Sequence, residues 1–79
     1  MPRINIEVKK EKLEEIKKLM EAGGVSTQKE LFDNALTLAK WMMRQKKRGR
    51  TVGALTDDDK FTELEMPILE NARESNVDI

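Results

Sequence analysis

Residues 3–8 alternate strictly between polar and apolar side chains, and this two-residue period predicts a β-strand with one buried face. Successive side chains of a strand point to opposite sides, so the predicted strand has one apolar and one polar face. The apolar face consists of Ile4, Ile6 and Val8. The polar face consists of Arg3, Asn5 and Glu7.

The next segment, residues 9–22, changes to the spacing of an amphipathic helix. Leu13, Ile16 and Met20 recur at intervals of three and four residues, which places them on one helix face. The pair Gly23-Gly24 is predicted to end this helix, because glycine accepts the left-handed conformation of a helix C-cap.

A second helix is predicted to begin at Ser26 or Thr27 and to end near Gly49. Thr27 is followed three residues later by Glu30, which is the spacing of a capping box. The apolar stripe of this helix is wider than one neighbour requires, so we expect several partners to surround it. Its members are Leu31, Phe32, Ala35, Leu36, Leu38, Ala39, Met42 and Met43.

The remaining residues predict a small appended structure. Residues 51–55 and 61–66 resemble short strands, and the polar residues 56–60 between them resemble a turn, so a β-hairpin is expected. Pro67 should end the second strand, and residues 68–74 should form one or two helical turns. Trp41, which lies off the main stripe, is predicted to pack under this C-terminal segment. The predicted domains are therefore residues 1–48 and an acidic extension, residues 49–79.

The single strand at residues 3–8 predicts a homodimer. Its backbone N–H and C=O groups need partners, and the nearest intrachain strand candidates lie beyond residue 50. Antiparallel pairing with the same strand of a second copy satisfies these groups about a two-fold axis. The predicted dimer core consists of Ile4, Ile6, Val8, Leu31, Ala35, Leu38 and Met42.

Composition narrows the chemistry that the chain can perform. The 79 residues contain neither Cys nor His, which removes disulfides, thiolate metal sites and histidine general bases. Three adjacent residues in a turn, Asp57 to Asp59, are not expected to face one cation together. We therefore expect no enzyme activity, no metal and no cofactor. The absence of an export signal and of any apolar run near ~18 residues favours a cytoplasmic location without a membrane partner.

Charge is divided unequally along the chain although the net charge is zero. Residues 1–50 contain 13 basic and 7 acidic side chains, whereas residues 51–79 contain 2 basic and 8 acidic ones. This asymmetry suggests a polyanion-binding half and an acidic appendage, the alternative being a charge drift along a solvated surface. Five of the seven residues 44–50 are basic. They either favour the helix C-terminus through its dipole or contact phosphate, and both interpretations stay open.

Residues 3–48 resemble the ribbon-helix-helix family of Arc/MetJ-type transcriptional regulators. The resemblance rests on the alternating strand at residues 3–8, the first helix at 11–22, and the Gly-x-Ser/Thr turn that leads into the second helix at 24–32. It implies a mainly α fold, a ribbon-helix-helix dimer with an intermolecular two-stranded antiparallel ribbon. The extension 49–79 lies outside the part that resembles the family.

The resemblance also implies a function, that of a sequence-specific repressor whose β-ribbon enters the major groove of double-stranded DNA. It implies base-reading roles for Arg3, Asn5 and Glu7, and phosphate contacts for Ser26 and Thr27. Arg can bond guanine and Asn can bond adenine, whereas Glu7 either accepts from cytosine or restrains Arg3. A helix N-terminus attracts phosphate through its exposed N–H groups.

Three alternatives stay open at the level of sequence. The chain would be an antitoxin if its acidic C-terminal part bound a toxin, with the N-terminal dimer on DNA. It would be a protein-interaction module if Glu7 and the acidic half marked a loss of DNA binding, with residues 49–79 contacting a protein partner. In the third alternative, the polar face of the strand contacts only solvent and binds no partner.

Overall fold

The computed structural model describes residues 7–79, which form three helices and one antiparallel two-stranded sheet. The elements in chain order are α1 (Lys10–Gly23), α2 (Gln28–Lys47), β1 (Gly53–Leu55), β2 (Phe61–Glu63) and α3 (Pro67–Glu74). The mainly helical class and the small C-terminal sheet are thus confirmed. The chain divides into two compact units, residues 1–33 and 34–79, with the boundary inside α2.

Helix α1 ends as the two glycines predict. Gly24 adopts the left-handed conformation with a φ of 65°, which costs a residue without a Cβ little. The Gly24 N–H donates to the Glu21 carbonyl at 3.2 Å and the Val25 N–H donates to the Met20 carbonyl at 2.8 Å. These two bonds form a Schellman motif, which satisfies carbonyls that a helix end otherwise leaves exposed.

Helix α2 begins at the predicted cap. Thr27 Oγ1 accepts the Glu30 backbone N–H at 3.1 Å, and the Thr27 carbonyl accepts the Leu31 N–H at 3.3 Å. The threonine side chain therefore satisfies one of the N–H groups that have no partner inside the helix.

The N-terminal unit buries little apolar surface in the single chain. The predicted α1 stripe does turn inward, but its side chains are only half covered. The half-buried apolar residues are Leu13, Ile16, Met20, Val25 and Leu31. Between residues 7 and 33, the described part of this unit, no residue is fully buried.

The C-terminal unit contains the predicted hairpin, with strands shorter than the sequence pattern suggested. Gly53 lies opposite Glu63, and Leu55 lies opposite Phe61. An added Cβ at Gly53 would collide with the Thr62 backbone oxygen and lie 2.7 Å from Cζ of Phe61. Only glycine therefore fits at Gly53, where the opposite strand and its aromatic ring approach the backbone closely.

The turn between the strands is closed by its own polar groups. The Thr56 N–H donates to the Lys60 carbonyl at 2.8 Å, and the Lys60 N–H donates to Thr56 Oγ1 at 3.0 Å. Asp59 has a φ of 64°, in the left-handed region that Asp adopts more readily than most residues. The run of acidic residues at 57–59 thus forms an exposed hairpin tip.

The core of the C-terminal unit joins residues that are distant in sequence. Met42 of α2 and Val52 before β1 pack with Leu69 of α3, and Met43 covers them partly. Leu69 is wholly inaccessible to solvent, and Ala72 of α3 is 2% exposed. Pro67 opens α3 at a position where its missing N–H is not needed. The prediction that it ends the second strand is wrong, because β2 already ends at Glu63.

Lys46 is the one buried charged residue in the part of the chain that the structure describes. Its Nζ lies 3.7 Å from Oε1 of Glu63 on β2 and 3.5 Å from Oε1 of Glu70 on α3. A buried ammonium is tolerated when carboxylates compensate it, so this cluster connects α2, the hairpin and α3.

The predicted position of Trp41 is wrong, because this side chain is 54% exposed instead of covered by the C-terminal segment. Adjacent residues of a helix point about 100° apart, at 3.6 residues per turn. Helix α3 packs on the side of α2 that carries Met42 and Lys46. Trp41 is turned away from that side.

Candidate nucleic-acid interface

The proposed base-reading face lies mostly outside the described residues. Arg3 and Asn5, together with the strand core residues Ile4 and Ile6, belong to residues 1–6. Glu7 and Val8 immediately precede α1 as an exposed segment that is neither helix nor strand in the single chain. Pairing of two such segments into a ribbon requires a second copy, so it stays a prediction.

The two predicted phosphate-binding residues lie together at the start of α2, where both contact Glu30. Thr27 accepts the Glu30 backbone N–H, and the Ser26 hydroxyl donates to Glu30 Oε1 at 3.3 Å. Both residues are exposed. The Glu30 carboxylate stabilises the positive end of the helix dipole, and a bound phosphate would have to share this position with it.

Lys29 is the cation nearest in sequence to this helix start. Its Nζ lies 2.9 Å from Oδ2 of Asp33, one helical turn later. The hydrogen bond that Lys29 donates to Asp33 and the attraction of the Asp33 negative charge raise the pKa of Lys29. Both side chains are largely exposed, so the pair contributes little to stability.

The predicted dimer-core residues on α2 fall into two groups. Met42 is buried inside its own unit, against Val52 and Leu69. Leu31 is half-buried, whereas Ala35 is exposed and Leu38 is 55% exposed. The stripe between Leu31 and Met42 is therefore mostly exposed in the single chain.

Further large apolar side chains of α2 are equally open. Phe32 is 41% exposed and Leu36 is 56% exposed. Contiguous exposed apolar surface of this kind marks an interaction site more often than a solvated helix face.

The two units of the structure divide the charge differently from the two sequence halves that meet at residue 50. Residues 1–33 carry seven basic and seven acidic side chains, and residues 34–79 carry eight of each. The positive excess of the first half lies entirely in residues 34–50, within the same unit as the acidic extension. The two halves of opposite charge are therefore not two separate bodies.

Several basic side chains of residues 44–50 form contacts inside the C-terminal unit. Lys46 faces two carboxylates, Arg44 Nε donates to the Ile79 backbone oxygen at 2.7 Å, and Lys47 Nζ donates to the Ser75 carbonyl at 2.7 Å. Sequence reasoning missed these contacts, since only the fold brings residues 63, 70 and 75–79 close to α2.

Two classes of site are absent from residues 7–79. No group of three or more Asp and Glu side chains there is arranged to hold a metal ion, and this includes the acidic hairpin tip. None of the helices in the described range has the length and apolar character needed to cross a membrane.

Comparisons with known proteins return no matching family model, no matching curated protein and no matching solved structure. The resemblance to ribbon-helix-helix proteins therefore rests on this chain's own residues. Helix α1, the glycine turn and the capped start of α2 form at the residues where the sequence predicts them.

Proposed function

We propose that the chain is a cytoplasmic, sequence-specific DNA-binding regulator, a repressor that acts as a homodimer. In this proposal residues 3–8 of two copies pair into an antiparallel ribbon that enters the major groove. Arg3, Asn5 and Glu7 contact base edges, and Ser26 and Thr27 with the first N–H groups of α2 contact phosphate.

The observation that carries the proposal is the incomplete burial of the N-terminal unit. Helix α1, the glycine turn and the start of α2 form as the sequence predicts, yet no residue between 7 and 33 is fully buried. A fold of this size rarely reaches stability from so little core, and a second copy is the usual remedy. Ribbon pairing with a second copy would supply a sheet partner, and the same copy would cover Phe32 at the start of α2, which is 41% exposed.

The charge distribution of the N-terminal unit favours specific contacts with DNA over a general electrostatic attraction to it. Residues 1–33 are neutral in sum, so the N-terminal unit lacks the strong basic field that steers many proteins to DNA. The phosphate contacts must then come from groups in fixed positions, such as the N–H groups beside Thr27. We expect moderate affinity for duplex DNA, and we expect discrimination between DNA sequences to depend on the ribbon.

Duplex binding measured over a series of salt concentrations tests this function. A duplex selected from a random pool by repeated binding to the full chain is compared with a random duplex of equal length. If Z phosphates are contacted, log K should fall with log salt at a slope near −0.9Z, and the selected duplex should bind more tightly. Failure to bind any duplex at low salt would overturn the proposal.

Substitutions in the ribbon then assign the base contacts. Arg3→Ala and Asn5→Ala should each lower the preference for the selected duplex by about 1–3 kcal/mol per lost bidentate contact. Glu7→Gln should lower that preference if Glu7 accepts from cytosine. It should instead raise affinity for both duplexes if Glu7 only restrains Arg3. Unchanged discrimination in both Arg3→Ala and Asn5→Ala would contradict base reading by the ribbon.

One observation favours a second function, binding of a protein partner by the C-terminal part, as in the antitoxin alternative. Leu55 and Phe61 lie opposite each other in the hairpin and are 66% and 53% exposed, beside the acidic tip at 57–59. An apolar pair next to carboxylates suits a protein partner with basic residues around an apolar site. Under this alternative Leu55→Ser leaves duplex binding unchanged and abolishes binding of the partner.

A further inference from the structure

Four basic side chains share one face of the second half of α2, a surface that we name the basic ridge (Lys40, Arg44, Lys47 and Arg48). Three of them are spaced four residues apart, and Lys47 follows Arg44 by three, so the four are neighbours on the helix surface. The Arg48 N–H still bonds to the Arg44 carbonyl at 3.2 Å, which continues the helical path past Lys47.

The basic ridge differs from Lys46, which lies on another side of α2. Lys46 is buried and faces Glu63 and Glu70, so its charge is compensated inside the unit. Within the described range 7–79, no Asp or Glu carboxylate lies within salt-bridge distance of a ridge cation. The basic segment of the sequence thus contains one structural cation and a separate cationic surface.

Oxygen acceptors already occupy the centre of the basic ridge. Lys47 Nζ donates to the Ser75 carbonyl and Arg44 Nε donates to the Ile79 backbone oxygen, each at 2.7 Å. Residues 75–79, the tail, follow α3 without forming a helix or strand, and Val77 in their middle is 66% exposed. A phosphate oxygen would accept from the same Lys47 group and add the full negative charge that the Ser75 carbonyl lacks, which makes the bond stronger.

We propose that the basic ridge is a second phosphate-binding surface for duplex DNA, and that the tail occupies its two central cations until DNA displaces it. The inference rests on the proposed DNA-binding function and adds sequence-independent contacts to it. The ridge spans eight residues of helical path, about 12 Å. One DNA strand presents a phosphate about every 3.4 Å of helix axis, so the ridge can follow several consecutive phosphates.

The first test removes the two ridge cations that the tail does not contact. The full chain with Lys40→Gln and Arg48→Gln is compared with a control that carries Lys60→Gln and Arg73→Gln. The control loses the same charge from exposed positions of the same unit, and circular dichroism checks that both variants are folded. Salt-dependent binding to a random duplex is measured for both.

The ridge variant should reduce the magnitude of the salt slope by about 1.8 per chain, at about 0.9 for each lost phosphate contact. The control should keep the slope of the unchanged chain. Equal slopes in the ridge variant and the control would overturn the inference.

The second test releases the tail. A chain that ends after Glu74 should bind the random duplex several-fold more tightly than the full chain, and adding Lys40→Gln and Arg48→Gln should remove most of this gain. Asp78→Asn in the full chain is the matched control, because it removes the tail's acidic side chain and keeps its backbone contacts. If Asp78→Asn reproduces the whole gain, occupation of the ridge by the tail is overturned.

The outcomes separate this inference from the function on which it rests. If the ridge variant still prefers the selected duplex and its salt slope is unchanged, the proposed regulator function stands and the ridge inference is overturned. Absence of duplex binding by the full chain and by the chain ending after Glu74 would overturn both.

Discussion

The two units of the chain differ in how they bury their apolar side chains. In the C-terminal unit, residues from α2, from the segment before β1 and from α3 meet in a core whose central residue, Leu69, is inaccessible to solvent. In the N-terminal unit, the described residues 7–33 leave every apolar side chain at least partly exposed. The contrast suggests that the C-terminal core is complete within one chain, whereas the N-terminal unit requires a second copy.

Charge distinguishes the units in a second way. Each unit is neutral in sum, but the C-terminal unit separates its cations into the buried Lys46 and the exposed basic ridge. The N-terminal unit forms only short-range pairs on its helix surfaces in the described residues, such as Lys12 with Glu15 and Lys29 with Asp33. Net charge alone would conceal this difference.

The largest expected effect comes from opening the C-terminal core. Leu69→Ala should lower the free energy of unfolding by about 2–5 kcal/mol, because it removes a fully buried side chain and leaves a cavity. Leu55→Ala, which truncates a leucine 66% exposed in the same unit, is the matched control and should cost under about 1 kcal/mol. Urea denaturation of both variants gives the comparison. Equal losses would contradict the assignment of Leu69 to a closed core.

The charge cluster around Lys46 should have the next largest effect. Glu63→Gln with Glu70→Gln leaves the ammonium buried without carboxylates, and should lower the free energy of unfolding by about 1–3 kcal/mol. This loss of stability is smaller than the loss expected for a fully buried pair, because both carboxylates are half exposed.

Lys46→Met is the control for that variant, since it removes the buried charge and keeps an apolar stem of similar length. It should change stability little, and combining it with the two glutamines should restore most of the lost stability. A triple variant as unstable as the glutamine variant would show that the carboxylates act elsewhere.

The smallest of these effects concerns the start of α2 in the N-terminal unit. Thr27→Ala removes the side chain that caps the helix, and should cost about 0.5–2 kcal/mol of stability and weaken binding to all duplexes equally. Ser26→Ala removes only an exposed bond to the Glu30 side chain and should cost less. Thermal melts of the two variants test the order, and a larger loss in Ser26→Ala would contradict the assignment of the cap to Thr27.

Much of the local structure could be predicted because its signals are local. The glycine pair and the Thr27 cap each act on backbone groups within a few residues, so their effects appear where the sequence places them. The hairpin was also predicted, although its strands, Gly53–Leu55 and Phe61–Glu63, are shorter than the predicted segments 51–55 and 61–66.

The packing could not be predicted in the same way. The burial of Lys46 and the exposure of Trp41 depend on which side of α2 receives α3, and that choice is made by contacts with residues far along the chain. The helical spacing of the basic ridge is present in the sequence. The different role of Lys46 cannot be predicted from that spacing, because it depends on the positions of Glu63 and Glu70 in the fold.

The central claim is that a second copy completes the N-terminal unit while the C-terminal core is complete within one chain. Residue-resolved amide hydrogen exchange on the full chain, over about a hundredfold dilution, tests this claim most directly. Protection in α1 should fall with dilution, and protection around Leu69 and Ala72 should change far less. Protection in α1 that is independent of concentration, together with a monomeric mass by sedimentation, would contradict the account.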